Sequence, residues 1–121
     1  MAKRVLICDD EANILESIKH IVSKEGYEVL SAVNGADGLE LAKSEKPDLV
    51  ILDVMMPKMT GYEVCEAIKQ NPELASSKVM ILTARGHAIS EATAKGKGAD
   101  EFMAKPFSPK DLRAKLHELL D

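Results

Sequence analysis

Tryptophan is absent from this 121-residue chain, and aromatic residues of all kinds make up 3% of it. So few rings leave no stacking platform for single-stranded nucleic acid. Basic charge is not in excess either. Lys and Arg number 16 against 20 Asp and Glu, for a net charge of −4, which offers no field favouring nucleic-acid phosphates. Direct nucleic-acid binding by this chain is therefore not expected. Cysteine is scarce: Cys8 and Cys65 are the pair present, with no Cys-x-x-Cys and no histidine at metal-ligand spacing. They read as reduced, buried thiols. Long apolar runs are missing as well. The first, Val5-Leu6-Ile7-Cys8, stops at Asp9-Asp10, far short of a signal-peptide core or a membrane span. A cytoplasmic protein without membrane attachment is expected.

The chain does contain a globular balance, 45% hydrophobic against 30% charged residues, at a length suited to one domain over 1–121. Short apolar runs alternate with helical patterns. The runs are Val5-Leu6-Ile7-Cys8, 27–33, Leu49-Val50-Ile51-Leu52, Val79-Met80-Ile81-Leu82 and the weaker Glu101-Phe102-Met103-Ala104. Three four-residue runs are continuously apolar, which predicts parallel strands covered on both faces. Ile14, Ile18, Ile21 and Val22 share one helical face, with Gly26 as a stop. A second helix is expected after Asn34, burying Leu39 and Ala42. Thr60-Gly61-Tyr62-Glu63 has the spacing of a capping box opening a third, with Val64, Ala67 and Ile68 inward. A fourth helix, about 88–97, is weak because of Thr93 and Gly96. Ser108-Pro109 caps a fifth, striped by Leu112, Leu116 and Leu119. Five βα units in strict alternation predict an α/β fold, a (βα)5 doubly wound open sheet with helices on both faces.

In such sheets ligands bind beyond the carboxyl ends of the strands. Those ends carry Asp9-Asp10-Glu11, Asp53, Thr83 and Lys105. A nucleotide-binding turn would need glycines after the first strand, where this chain has acids, and no P-loop or dinucleotide fingerprint is present. Three carboxylates, Asp9, Asp10 and Asp53, brought to one pocket would repel unless neutralised, and hard oxygen ligands in that number suit Mg²⁺, with Mn²⁺ as a substitute. Lys105 adds a positive charge and Thr83 a hydrogen-bond donor, which together describe a site for a tetrahedral dianion beside a metal. Asp53 is then the candidate nucleophile, forming an aspartyl phosphate. His20, His87 and His117 read as plain surface residues.

At these residues the chain resembles the response-regulator receiver family of two-component signalling, whose chemotaxis member has strand order 2-1-3-4-5, so the resemblance implies a flavodoxin-like sheet. The matching pieces are 5–11, 48–53, Met56-Pro57-Lys58-Met59-Thr60-Gly61, Ile81-Leu82-Thr83-Ala84, and 98–102 running into Lys105-Pro106-Phe107. The resemblance implies that Asp53 accepts a phosphoryl group from a histidine kinase or a histidine phosphotransfer protein. It further implies that Asp9, Asp10, Asp53 and the backbone carbonyl of Met55 hold Mg²⁺. Thr83 and Lys105 would contact the phosphoryl oxygens, and Phe102 would swing inward with Thr83. A cis peptide between Lys105 and Pro106 is implied too. Met55 and Arg85 occupy positions that vary in the family and modulate the site; Met55 cannot orient water, so self-phosphorylation with Mg²⁺ followed by slow self-dephosphorylation is expected. Phosphorylation adds negative charge, and the gained contacts of Thr83 and Lys105 should shift the face made by the fourth helix, Phe102 and the fifth helix toward binding a downstream target protein.

One reading is a stand-alone switch ending at Leu119-Leu120-Asp121, as a monomer or a phosphorylation-dependent dimer. Another is the receiver domain of a DNA-binding transcriptional regulator, which the stretch Ser108-Pro109-Lys110-Asp111-Leu112 resembles. A third, a haloacid-dehalogenase-like aspartyl phosphatase, needs Asp-x-Asp at the nucleophile, whereas Met55 stands two beyond Asp53.

Overall fold

A computed structural model of the chain describes residues 2–84, 96, 98–105 and 107–121. Among these residues, five strands form one sheet: β1 (Arg4–Cys8), β2 (Glu28–Ala32), β3 (Leu49–Asp53), β4 (Lys78–Ala84) and β5 (Glu101–Lys105). Every pairing is parallel and the order is β2-β1-β3-β4-β5, as the alternating pattern and the resemblance predict. The described helices are α1 (Ala12–Lys24), α2 (Gly35–Glu45), α3 (Gly61–Gln70) and α4 (Pro109–Leu120). Here α4 is the helix expected as the fifth. Apart from Gly96, the span 88–97 expected as the fourth lies outside the described residues, as do Arg85, His87 and Pro106 with its preceding bond.

Alternation along each strand divides the core in two. Val5, Ile7, Leu49, Ile51, Met80 and Leu82 point to the face covered by α1 and α4, where they meet Ile18, Val22, Leu112 and Leu116. Their neighbours Leu6, Cys8, Val50, Leu52, Val79 and Ile81 point the other way, against Ala42 of α2 and Val64, Cys65 and Ile68 of α3. Each fully buried aliphatic side chain contributes about 1.5–3 kcal/mol. Helices on both faces explain why β1, β3 and β4 carry unbroken apolar runs instead of alternating with polar residues. Cys8 and Cys65 are buried within this packing and are not joined in a disulfide.

Local signals place the helices. The Asn34 side chain accepts from the Asp37 amide at 2.8 Å and caps α2. Thr60 accepts from the Glu63 amide at 3.2 Å while Glu63 accepts from the Thr60 amide at 2.9 Å, the reciprocal box that the spacing predicts. Ser108 caps α4 by accepting from the Asp111 amide at 3.0 Å. Gly26, at φ +90°, ends the first helical unit in a conformation other residues avoid.

Several details depart from the sequence reading. Leu39 of α2 and Leu119 of α4 are half-buried, and Leu120 takes the covered position beside Leu112 and Leu116. The buried face of α1 is Leu15, Ile18 and Val22, with Ile14 and Ile21 only half-buried; these two flank a groove whose far side is Phe107 and Pro109. Ala67 of α3 is half-buried while Cys65 is fully covered. The second apolar run forms a strand over five residues, the length of β1 and β3, and Val33 beyond it is exposed.

Candidate functional site

Four strand ends deliver the site. Asp9 follows β1, Asp53 is the last residue of β3, Thr83 lies one residue before the end of β4, and Lys105 is the last residue of β5. Because the strands are parallel, all four reach the same edge of the sheet. Asp9, Asp53, Thr83 and Lys105 are buried, whereas Asp10 is exposed.

One carboxylate oxygen each from Asp9, Asp10 and Asp53 lie within 4.8 Å of one another. Lys105 Nζ donates to Asp9 Oδ2 at 2.8 Å and to Glu11 Oε1 at 3.3 Å, and it stands 3.3 Å from Asp53 Oδ1. A further bond orients Asp9: its Oδ1 accepts from the Glu11 amide at 2.9 Å. One ammonium group thus serves three charged carboxylates in the cluster. Burial, reinforced by the negative charge of Asp9 and opposed by Lys105, pushes the Asp53 carboxyl up to about 6. Burial works to lower the pKa of Lys105, yet its hydrogen bond to Asp9 and the charges of Asp53 and Asp9 outweigh it, and the net shift is upward. Burial therefore dominates at Asp53, whereas the neighbouring carboxylates prevail over burial at Lys105. An excess of converging carboxylate oxygens fits a hard divalent cation.

The Thr83 hydroxyl is buried and has no hydrogen-bond partner among the described residues. An unmet buried hydroxyl costs about 1–3 kcal/mol, so this donor is kept at a cost that a ligand at the edge would relieve. Phe102 pairs with Ile81, two residues before Thr83, and packs against the α2–α3 side of the core. Thr83 and Phe102 therefore lie on neighbouring strands with the same facing.

The chain beyond Asp53 is tied down. Val54 donates to Leu82 at 3.0 Å, and the Gly61 amide returns to Val54 at 2.9 Å. A Cβ built on Gly61 would stand 2.4 Å from the Asp53 carbonyl oxygen, so α3 can begin against the Asp53 backbone only with glycine there. Gly35 meets the Met59 backbone as closely, with a built Cβ 2.2 Å from its carbonyl oxygen. The loops after β2 and β3 consequently lean on one another.

The family model of the response regulator receiver domain matches residues 5–117. The chain belongs to that family. It is a signalling module of two-component systems, not a metabolic enzyme, and the phosphatase reading is set aside. The chain is 37% identical over 120 residues to the alkaline phosphatase synthesis transcriptional regulatory protein PhoP of Bacillus subtilis, covering 99% of this chain and 49% of that protein. It thus spans about half the length of that relative. Among solved structures, the chemotaxis response regulator CheY4 of Vibrio cholerae superposes with a TM-score of 0.91 at 31% identity, covering 99% of this chain and 100% of the other. The receiver domain of the sensor histidine kinase PA1611 from Pseudomonas aeruginosa, solved with magnesium in its active-site cleft, shares the fold at a TM-score of 0.89 and 20% identity, covering 98% of each chain. No described helix of this receiver is long and apolar enough to cross a membrane.

Of the residues expected at the site, Asp9, Asp10, Asp53 and Lys105 are brought into one cluster, with Thr83 at the same edge. Met55 is exposed beside it, and Arg85 lies outside the described residues. Two participants went unassigned in the sequence reading. Glu11 bonds Lys105, and Gly61 seats α3 against Asp53. In the sequence Glu11 stands as a third acid in a row and Gly61 within a capping box, both inside pieces that match the family, but neither carries a sign of what it touches.

Proposed function

We propose that this receiver is a phosphorylation-driven switch in which Asp53 accepts a phosphoryl group from the phosphohistidine of a histidine kinase or histidine phosphotransfer protein. An Asp53 carboxylate oxygen attacks phosphorus, the P–N bond breaks, and the electron pair leaves with the imidazole nitrogen, which regains a proton. The supporting observation is the convergence of three carboxylates and one lysine at a single sheet edge. Asp9, Asp10, Asp53 and the Met55 main-chain carbonyl would hold Mg²⁺, or Mn²⁺ in its place. The ion supplies charge neutralisation for the phosphoryl oxygens. Lys105, already beside Asp53, turns from the carboxylates to the new oxygens, and the Thr83 hydroxyl gains the acceptor it lacks. Phe102, facing the same way, carries that change toward the face of β5, α4 and the helix expected over about 88–97, outside the described residues, where a downstream protein binds; the receiver itself acts as a monomer or a phosphorylation-dependent dimer. Direct nucleic-acid binding is not assigned to this chain, and a cytoplasmic setting suits the phosphodonor.

Incubation with Mg²⁺ and a small acyl-phosphate donor should add one phosphoryl group by intact mass, and Asp53→Asn should add none. Labelling of Asp53→Asn equal to wild type would overturn the assignment. Met55 presents an apolar side chain to solvent next to the acceptor, so water is poorly oriented and self-dephosphorylation should be slow; a phosphoryl lifetime of seconds contradicts this. A second reading, a receiver belonging to a DNA-binding transcriptional regulator, is favoured by the 49% of PhoP that the chain spans. The reading frame following Asp121 decides it.

A further inference from the structure

Far from the acidic edge, at the last turn of α4, His117 has both ring nitrogens engaged. Nε2 lies 2.7 Å from Glu25 Oε1, at the end of α1. Nδ1 faces Asp121 Oδ2, one turn along its own helix, and also lies 3.1 Å from the Tyr27 hydroxyl in the turn before β2. That hydroxyl donates in addition to Asp121 Oδ1 at 3.2 Å. Lys3, ahead of β1, adds an attraction on Asp121. Glu25 also borders a groove between α1 and α4 with His20, Lys24 and Arg113. His117 is exposed, as the sequence reading has it, and the structure adds its partners. Asp121 stands at i+4, whereas Glu25 and Tyr27 come from far along the chain.

Ionised carboxylates only accept, and a neutral imidazole donates from one nitrogen while accepting at the other. Both nitrogens of His117 can bond carboxylates at once only when both are protonated. Loss of one proton leaves a lone pair that repels one carboxylate. Tyr27 stands at Nδ1 ready to donate to that lone pair, and its phenol, pushed up to about 12 by burial and its bond to Asp121, stays a donor throughout. We propose that His117 is a proton-gated latch: protonated, it ties Asp121 and Glu25 together across α4 and α1; neutral, it keeps Glu25, takes the Tyr27 hydroxyl at Nδ1 and releases Asp121. The direction of the shifts agrees. The bond to Glu25, followed by that to Asp121, raises His117, and the bond to His117 lowers Asp121.

The latch is read by nuclear magnetic resonance on the full chain, following the His117 ring and the Asp121 amide, which donates to the His117 carbonyl at 2.9 Å. His117 should titrate above the ordinary value of about 6.5. Glu25→Gln and Asp121→Asn should each lower that midpoint, whereas Tyr27→Phe should raise it, because the neutral ring loses its replacement partner. Across the same midpoint, protection of the Asp121 amide should fall about threefold, and His117→Gln should show no step. A His117 that titrates at the ordinary value, a Tyr27→Phe midpoint that falls or does not move, or an Asp121 amide blind to the titration would each overturn the latch. Urea midpoints within the wild-type range confirm that the variants are folded.

Discussion

At Lys105 the ammonium group is buried against Asp9 and Asp53 and reaches Glu11. Removing one partner of a buried ion pair leaves the other uncompensated and costs about 3–5 kcal/mol. Lys105→Ala should therefore lower stability by roughly that much in metal-free buffer, and added Mg²⁺ should restore part of it, as urea denaturation would register. Thr83 behaves differently. Its hydroxyl has no partner among the described residues, so Thr83→Ala should leave the unphosphorylated protein within about 1 kcal/mol of wild type or above it. The same variant should accept a phosphoryl group yet lose the change in partner affinity that follows. Equal responses of wild type and Thr83→Ala to phosphorylation would remove Thr83 from the switch.

At the scale of elements, the acidic edge depends on how α3 begins. Gly61 rests on the Asp53 backbone, and the Thr60–Glu63 box fixes the turn one residue earlier. Gly61→Ala forces a Cβ into a carbonyl oxygen that cannot move without moving Asp53. A loss of about 1–3 kcal/mol is expected, together with slower acyl-phosphate labelling. Thr60→Ala removes a cap worth about 1 kcal/mol but adds no bulk, so its labelling rate should stay near that of wild type. Comparing stability and labelling rate across the two variants separates loss of a helix cap from displacement of the acceptor. The cap was legible from residue spacing alone. The close approach was not, since a glycine at the first position of a helix looks the same in sequence whether solvent or a backbone lies above it.

For the whole molecule, parallel strands concentrate negative charge at one end of the sheet, and the fold bears the cost. With Asp53 pushed up to about 6, its folded carboxyl holds a proton more tightly than an unfolded one. Stability is therefore lost as pH rises between the ordinary aspartate value and about 6. At neutral pH, Asp53→Asn should gain on the order of 1–3 kcal/mol in metal-free buffer. Mg²⁺ at about 100 times its dissociation constant should stabilise wild type by about 2.7 kcal/mol, chelation should reverse this, and the advantage of Asp53→Asn should shrink. At the opposite end His117 depends on pH in the same direction, in a higher window. Its raised value means that its contribution is complete below the unfolded value and fades as pH rises through the folded one.

What the sequence by itself determined was everything carried by short-range pattern. Unbroken apolar runs announced strands covered on both faces, caps announced helix starts, and charged residues at strand ends announced the functional edge, because period and position are written in consecutive residues. Tertiary structure alone decided which groups meet through packing: Glu11 with Lys105, Gly61 with the Asp53 carbonyl, His117 with Glu25 and Tyr27. It also chose Leu15 over Ile14 and Ile21 for the inner face of α1. Distances of a few ångströms between residues as many as 96 positions apart depend on how the layers pack, and packing is a property of the assembled sheet and helices, not of any segment read alone.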